Sequence, residues 1–170
     1  MKVVIWGGTG SLPSTMLSAV IRDKICRALE AAHGKKFSGR KDIEHFVDTL
    51  PFHCRGTYGG NTSCVEIRNG EETILLDAGS GIRDFGRYIM QSDKRPSRFH
   101  LFMSHLHWDH LQGFPFFIPA FVKGNIISIY GCHRELKSAF INQQAPLYFP
   151  VDLDYMKAEK RFIVLEPGKT

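Results

Sequence analysis

The amino-acid sequence predicts a layered α/β domain, and three observations carry that expectation. A strand and a hairpin pattern are followed by helical and strand patterns in alternation, the order expected of layered α/β domains. The 170 residues are 43% hydrophobic and 23% charged, a balance that excludes disorder, collagen and disulfide-dense mini-proteins and allows a real core. No repeat, low-complexity tract or domain linker interrupts the chain, so residues 1–170 read as a single domain.

Taken in order, residues 2–6 form a β-branched run that predicts a strand. It ends in Gly7-Gly8-Thr9-Gly10-Ser11-Leu12-Pro13, a turn-rich loop. Ser14 is placed to cap a helix in which Leu17, Val20, Ile21, Ile25, Ala28 and Leu29 recur at helical spacing, with Gly34 as its stop. Ile43, Phe46, Val47 and Leu50 predict a second short helix ended by Pro51, and residues 12–55 together read as a helical insertion between the first two strands. Residues 63–68 and 73–77 predict two strands joined by a hairpin turn at Asn69-Gly70. A loop over 78–81, a helix over 82–91 and a strand over 99–103 follow. A strand over 125–130, a helix over 133–143 and a last strand over 161–165 complete the pattern.

Charge and cysteines narrow the function classes. The formal net charge of +5, with a pI near 9.1, favours anionic partners without diagnosing nucleic acid. Cys26, Cys54, Cys64 and Cys132 form no C-x-x-C pair; no signal peptide and no apolar stretch of spanning length is visible. These features predict a cytoplasmic protein with free thiols and no membrane partner. The glycine loops lack both the dinucleotide fingerprint and the P-loop lysine, so tight-turn glycines are the expected reading. Lys35, Lys36, Arg40 and Lys41 read as a solvated face, and so do Arg83 and Arg87, although the last two lie one turn apart where a phosphate could reach them. The phenylalanine-rich stretch 113–119 reads as core or cleft wall.

The chemistry concentrates in His105-Leu106-His107-Trp108-Asp109-His110, directly after an apolar strand. In extended backbone, residues two apart face the same way, so His105 and His107 can aim two imidazoles at one point. Asp109 and His110 fall where the chain must turn and can face a second point. Imidazole and carboxylate suit zinc, iron and manganese, and two such ions about 3.5–4 Å apart can clamp an ester or phosphate.

This H-x-H-x-D-H run resembles the signature of the metallo-β-lactamase superfamily. Ile74-Leu75-Leu76-Asp77-Ala78-Gly79-Ser80-Gly81, the glycine loop after residue 6, and Tyr58-Gly59-Gly60-Asn61-Thr62-Ser63-Cys64 resemble its ribonuclease Z-like and cyclic-phosphate phosphodiesterase-like members. The resemblance spans most of residues 1–6 and 57–166. It implies the N-terminal portion of an αββα sandwich, a mixed sheet flanked by helices. It also implies two divalent metal ions, zinc first, with His105 and His107 on one and Asp109 and His110 on the other. Asp109 doubles as the catalytic residue that positions the attacking water, Asp77 orients the ligand loop from behind, and Asn61 is a candidate polar group of the cleft.

In the family, further ligands come from the second half of the domain, and no histidine or aspartate after His110 fits them here. His133 opens a helix, and Asp152 and Asp154 lie in a loop or short helix. The chain is therefore expected to be truncated at its C-terminus, to bind metal weakly alone, and to self-associate or pair with a missing C-terminal segment. The implied activity is metal-dependent hydrolysis by a metal-bound hydroxide, acting on a small phosphodiester. The alternatives are an RNA-processing nuclease of the same superfamily, with RNA as substrate, or a non-catalytic metal-binding or interaction remnant.

Overall fold

Apolar runs rich in Ile, Leu and Phe build the sheet, and glycine- and serine-rich segments turn the chain between them. The structure is a computed structural model that describes residues 1–69, 72–93, 95–166 and 168. Two compact units emerge: Ser14–Gly59, and Met1–Pro13 with Gly60–Thr170.

The unit Ser14–Gly59 is helical, with α1 (Ser18–Ala32), α2 (Arg40–Thr49) and α3 (Phe52–Arg55). The Ser14 cap does not form. Extended Leu17 precedes the first turn and no side chain caps it. Gly34 adopts φ +74° just past α1, the left-handed stop that glycine allows at low cost. The short helix α3, entered through Pro51, adds a third helix to the two that periodicity reveals. Lys24 on α1 donates to the carbonyls of His53 and Gly56, which ties α3 and its exit to α1.

Among the described residues the other unit holds six strands: β1 (Lys2–Gly7), β2 (Cys64–Asn69), β3 (Glu72–Leu76), β4 (Arg98–Phe102), β5 (Ile126–Gly131) and β6 (Glu159–Val164). Their spatial order is their chain order. β1–β2–β3 pair antiparallel and β3–β4–β5–β6 parallel, so the sheet is mixed. The hairpin ladder closes at Asn69↔Glu72, and the predicted turn residue Gly70 lies outside the described residues. The parallel half needs crossovers, which α4 (Gly81–Met90), α5 (Trp108–Leu111) and α6 (Leu136–Gln143) help to supply. The helix expected from residue 133 starts only at Leu136, and the strand expected from residue 161 begins at Glu159.

Side chains alternate across the strands. Leu75, Leu101 and Ile129 lie in register and are fully buried on one face. Phe85 of α4 packs there against Phe99 (ring centroids 6.3 Å) and Phe117 (5.9 Å), and Phe114 meets Phe140 at 4.8 Å. The phenylalanine-rich stretch thus enters the core through two tight helical turns, Phe114–Phe116 and Ile118–Phe121. The opposite face carries a second in-register row, Ile5, Val65, Leu76, Phe102, Tyr130 and Ile163. That row is more open: Ile5 is 61% and Leu76 38% exposed.

All four cysteines are free, and burial, helped by the charges of Asp77 and Glu66, pushes the Cys64 thiol far up. Among the described residues no helix is long and apolar enough to cross a membrane.

The two faces predict different responses to truncation. Phe85→Ala should lower the unfolding free energy by about 3–5 kcal/mol, whereas Ile5→Thr should change it by about 0.5 kcal/mol or less. Urea unfolding followed by circular dichroism measures both, and equal effects would contradict the assignment of the core face.

Candidate metal centre

The site is built around the end of β3. Asp77, the next residue, takes φ +63°, a left-handed conformation that aspartate tolerates better than most side chains. Its backbone N–H donates to the Phe102 carbonyl (2.9 Å), holding it at the end of β4. Its carboxylate, only 6% exposed, turns under the loop that leaves β4. It accepts from the Ser104 N–H (2.8 Å), the Ser104 hydroxyl (2.9 Å to each oxygen), the Ser63 hydroxyl (3.1 Å) and His110 Nδ1 (2.8 Å). An ionised carboxylate offers about four acceptor positions, and these donors take them up.

The motif loop is consequently anchored from below at both ends. Ser104 sits at its start and His110 in α5. The His110 N–H returns to the His107 carbonyl (3.0 Å), which folds the motif back on itself. The ring of His105 lies 4.5 Å from that of His107 and 4.0 Å from that of His110. Extended-chain geometry separates the motif into two pairs. The turn of α5 instead brings His110 beside His105, so three imidazoles share one cluster. Asp109 joins it with Oδ2 3.4 Å from His110 Nε2. The same Oδ2 accepts the Ser11 N–H at 2.8 Å. That backbone donor, with smaller help from His110 and His105, holds the Asp109 carboxyl below its ordinary range.

Two glycines of the site, Gly79 and Gly113, serve close approach. A Cβ at Gly113 would lie 2.0 Å from the Gly79 carbonyl oxygen, and one at Gly79 would lie 2.4 Å from that of Asp109. Neither residue has a positive φ. What needs them is the crossing of two backbone segments, where Ala78 N–H donates to the His110 carbonyl (2.7 Å) and Gly113 N–H to the Ala78 carbonyl (2.9 Å).

Asn61 has its amide engaged at both ends. Nδ2 donates to Asp84 Oδ2 (2.7 Å), and Oδ1 accepts from the Ser80 hydroxyl (3.0 Å). Its carbonyl accepts from Gly8 and Thr9 (3.0 Å each), so it ties the loop after β1 to α4. Sequence reasoning missed Ser11, Ser63 and Ser104. Ser104 adjoins the first motif histidine and could have been suspected. Ser11 acts through its backbone, which no residue type announces.

The donor set fits a divalent metal in chemistry. With Nδ1–H on Asp77, His110 keeps its Nε2 lone pair for a metal, the usual arrangement of a ligating histidine. Ser104 Oγ stands 3.0 Å from His105 Nδ1 and can orient that ring likewise. As arranged here, no three His, Cys, Asp or Glu side chains among the described residues are grouped to hold one ion.

No family model matches the sequence, and no curated protein sequence matches it either. Among solved structures, the chain is similar to human tRNase Z, short form (ELAC1), at 19% identity and a TM-score of 0.51 over 98% of this chain and 46% of that one. It is also similar to the metallo-β-lactamase fold protein YhfI from Bacillus subtilis, at 18% identity and a TM-score of 0.43 over 65% of this chain and 40% of that one.

The chain has the metallo-β-lactamase fold. It spans about half the length of the human tRNase Z structure. Within this metallo-β-lactamase-fold sheet, the motif leaves β4 and is seated on the residue that follows β3.

Two substitutions test the framework. Asp77→Ala leaves buried donors without an acceptor and places alanine at a positive φ, so it should cost about 2–4 kcal/mol of stability. Asp77→Asn keeps one acceptor and tolerates the backbone, and should cost roughly half as much. Equal melting temperatures for the two variants would contradict this. Gly113→Ala should destabilise by about 1–3 kcal/mol or more, because backbone cannot yield as a side chain can. Thermal unfolding reads all three.

Proposed function

We propose that the chain carries one side of a dinuclear metal centre that hydrolyses phosphodiesters. Supporting it most directly is the Asp77 carboxylate, which seats Ser104 and His110 while the His105 ring lies 4.5 Å from that of His107 and 4.0 Å from that of His110. His105 and His107 would hold one ion, and Asp109 and His110 the other, with zinc the first candidate and iron or manganese next. An ion held by these residues would supply Lewis acidity, making water more acidic and offsetting charge on phosphoryl oxygens.

The residues of the chain divide the remaining work. Asp77 fixes the His110 tautomer, and so which nitrogen is presented. Asp109, kept ionised by the Ser11 N–H, can orient water and accept its proton at Oδ2. Two side chains per ion are fewer than a stable zinc centre uses. The reading therefore has further ligands come from a C-terminal segment or a second copy of the chain. Free thiols are consistent with a cytoplasmic setting. The structural likeness to a tRNase Z favours RNA as the second substrate class.

A substrate panel tests the reading. The zinc-loaded chain is assayed on bis-p-nitrophenyl phosphate, cyclic nucleotides, lactones and thioesters. Slow phosphodiester turnover, abolished by chelation and reduced about 100-fold or more by Asp109→Ala, is expected. Turnover confined to lactones or thioesters would refute the phosphodiester assignment. Two tight zinc sites with robust turnover by the monomer would refute the ligand shortage.

A further inference from the structure

The helical unit Ser14–Gly59 has almost no interior. No residue of α1, α2 or α3 is buried, and among the described residues Leu50 is the one hydrophobic of the unit that is. Yet α1 and the residue before it carry Leu17, Val20, Ile21, Ile25 and Leu29, and α2 carries Ile43 and Val47, all of them exposed. A unit this small with so little core is stabilised by a covalent or bound staple, or by association. Its two cysteines, Cys26 and Cys54, are free, so no disulfide makes good the missing core.

The exposed side chains of α1 form a pattern. Leu17, Ile21, Ile25 and Leu29 follow one another at four-residue steps and so build a single ridge along the helix, 45–71% exposed. The charges of α1 stay off this ridge. Asp23 and Arg27 pair with each other at 2.7 Å, and Lys24 is turned to the carbonyls of His53 and Gly56. Glu30 falls on the opposite side of the helix. Arg22 flanks the ridge, where its long stem can keep the guanidinium in water beside a docked helix. An apolar ridge of this spacing is the surface that interdigitates in the commonest class of helix pairing.

Its sequence says which partner fits. The ridge reads the same from either end: Leu, Ile, Ile, Leu at equal spacing. A twofold axis through its midpoint, level with Asp23, sets Leu17 against Leu29 of an antiparallel copy, and Ile21 against Ile25. A closed twofold interface requires this self-complementarity, because each patch meets itself. A partner of different sequence would impose no palindrome on the ridge. The antiparallel sense also sets the two helix dipoles against each other, positive end beside negative end.

We propose that α1 is a homodimerisation helix, its Leu17–Ile21–Ile25–Leu29 ridge packing antiparallel on the same ridge of a second copy of the chain. The interface lies within the helical unit and uses neither a metal nor the histidine motif, so it stands apart from the hydrolase reading. A few side chains per copy are well below the roughly 20–30 residues a side of a stable interface, so dissociation in the micromolar range is expected.

Sedimentation equilibrium of the 170-residue chain, from micromolar to millimolar concentration, tests the proposal. A monomer–dimer equilibrium is expected. Ile25→Val should weaken the dimer about tenfold, because each copy loses one buried methylene. Ile21→Lys and Ile25→Glu should each weaken it about 100-fold or more, because a charge would be buried unpaired. Both positions are half exposed within one chain, so these variants should keep the wild-type helix content by circular dichroism. Should a charged variant lose helix content, Ile25→Val carries the test. Mixing Ile21→Lys with Ile25→Glu should restore a mixed dimer, because the antiparallel register sets position 21 of one chain against position 25 of the other. Ile5→Glu, on the open face of the sheet, should leave the equilibrium unchanged. A chain that stays monomeric at millimolar concentration would overturn the proposal. So would a dimer that survives Ile25→Glu and Ile25→Val undiminished, or one that Ile5→Glu dissolves and the α1 variants do not. Two charged variants that fail to associate when mixed would overturn the antiparallel pairing, and the proposal with it.

Discussion

A buried carboxylate with its acceptor positions taken is the constraint on which the centre depends. Asp77 accepts from Ser63, Ser104 and His110, and its own N–H reaches Phe102. Those partners belong to the approach to β2, the exit of β4, α5 and the end of β4. One side chain therefore registers three strands and the motif against each other. The cost of desolvating a carboxylate is offset only when its donors are in place. Displacing any one of them is resisted by the rest, which is what a ligand loop needs if its imidazoles are to stay clustered.

The glycine contacts follow from the same requirement. To bring His110 within reach of Asp77, the backbone after β3 must cross the backbone after α5 at hydrogen-bond distance, and Gly79 and Gly113 leave room for that crossing. Below it, Ile82, Phe85, Phe114 and Phe117 fill the core and fix α4 and the phenylalanine-rich turns. Packing thus carries the motif, and Phe116 is the ring left outside the core.

The strands and most helices were legible in residue patterns, because alternation and helical periodicity report directly on a sheet with a buried face. The H-x-H-x-D-H run was legible through its spacing after an apolar strand, and Asp77 only through the resemblance of residues 74–81 to the metallo-β-lactamase superfamily. Other features were not. The Ser14 cap failed because the chain stays extended through Leu17, and α3 is too short to show a period. The clustering of His105 with His110 depends on how α5 turns, which spacing alone does not fix. Close-approach glycines and turn glycines look alike in a sequence, since both are simply glycine.

Asn61 shows how a structure can move a residue's role without removing it. As a polar side chain near the motif, it invited a place in the cleft. Its amide instead bridges Ser80 and Asp84, and Asp84 in turn anchors Arg83. The arrangement repeats the logic of Asp77 and His110, in which a carboxylate with fixed donors sets the orientation of a nitrogen base. In one case the oriented group is an imidazole of the motif, in the other the Arg83 guanidinium. Both carboxylates are braced from the loop that leads into β2, Asp77 by Ser63 and Asp84 by Asn61. One loop thus supports both the histidine cluster, through Asp77, and the Arg83 side chain, through Asp84.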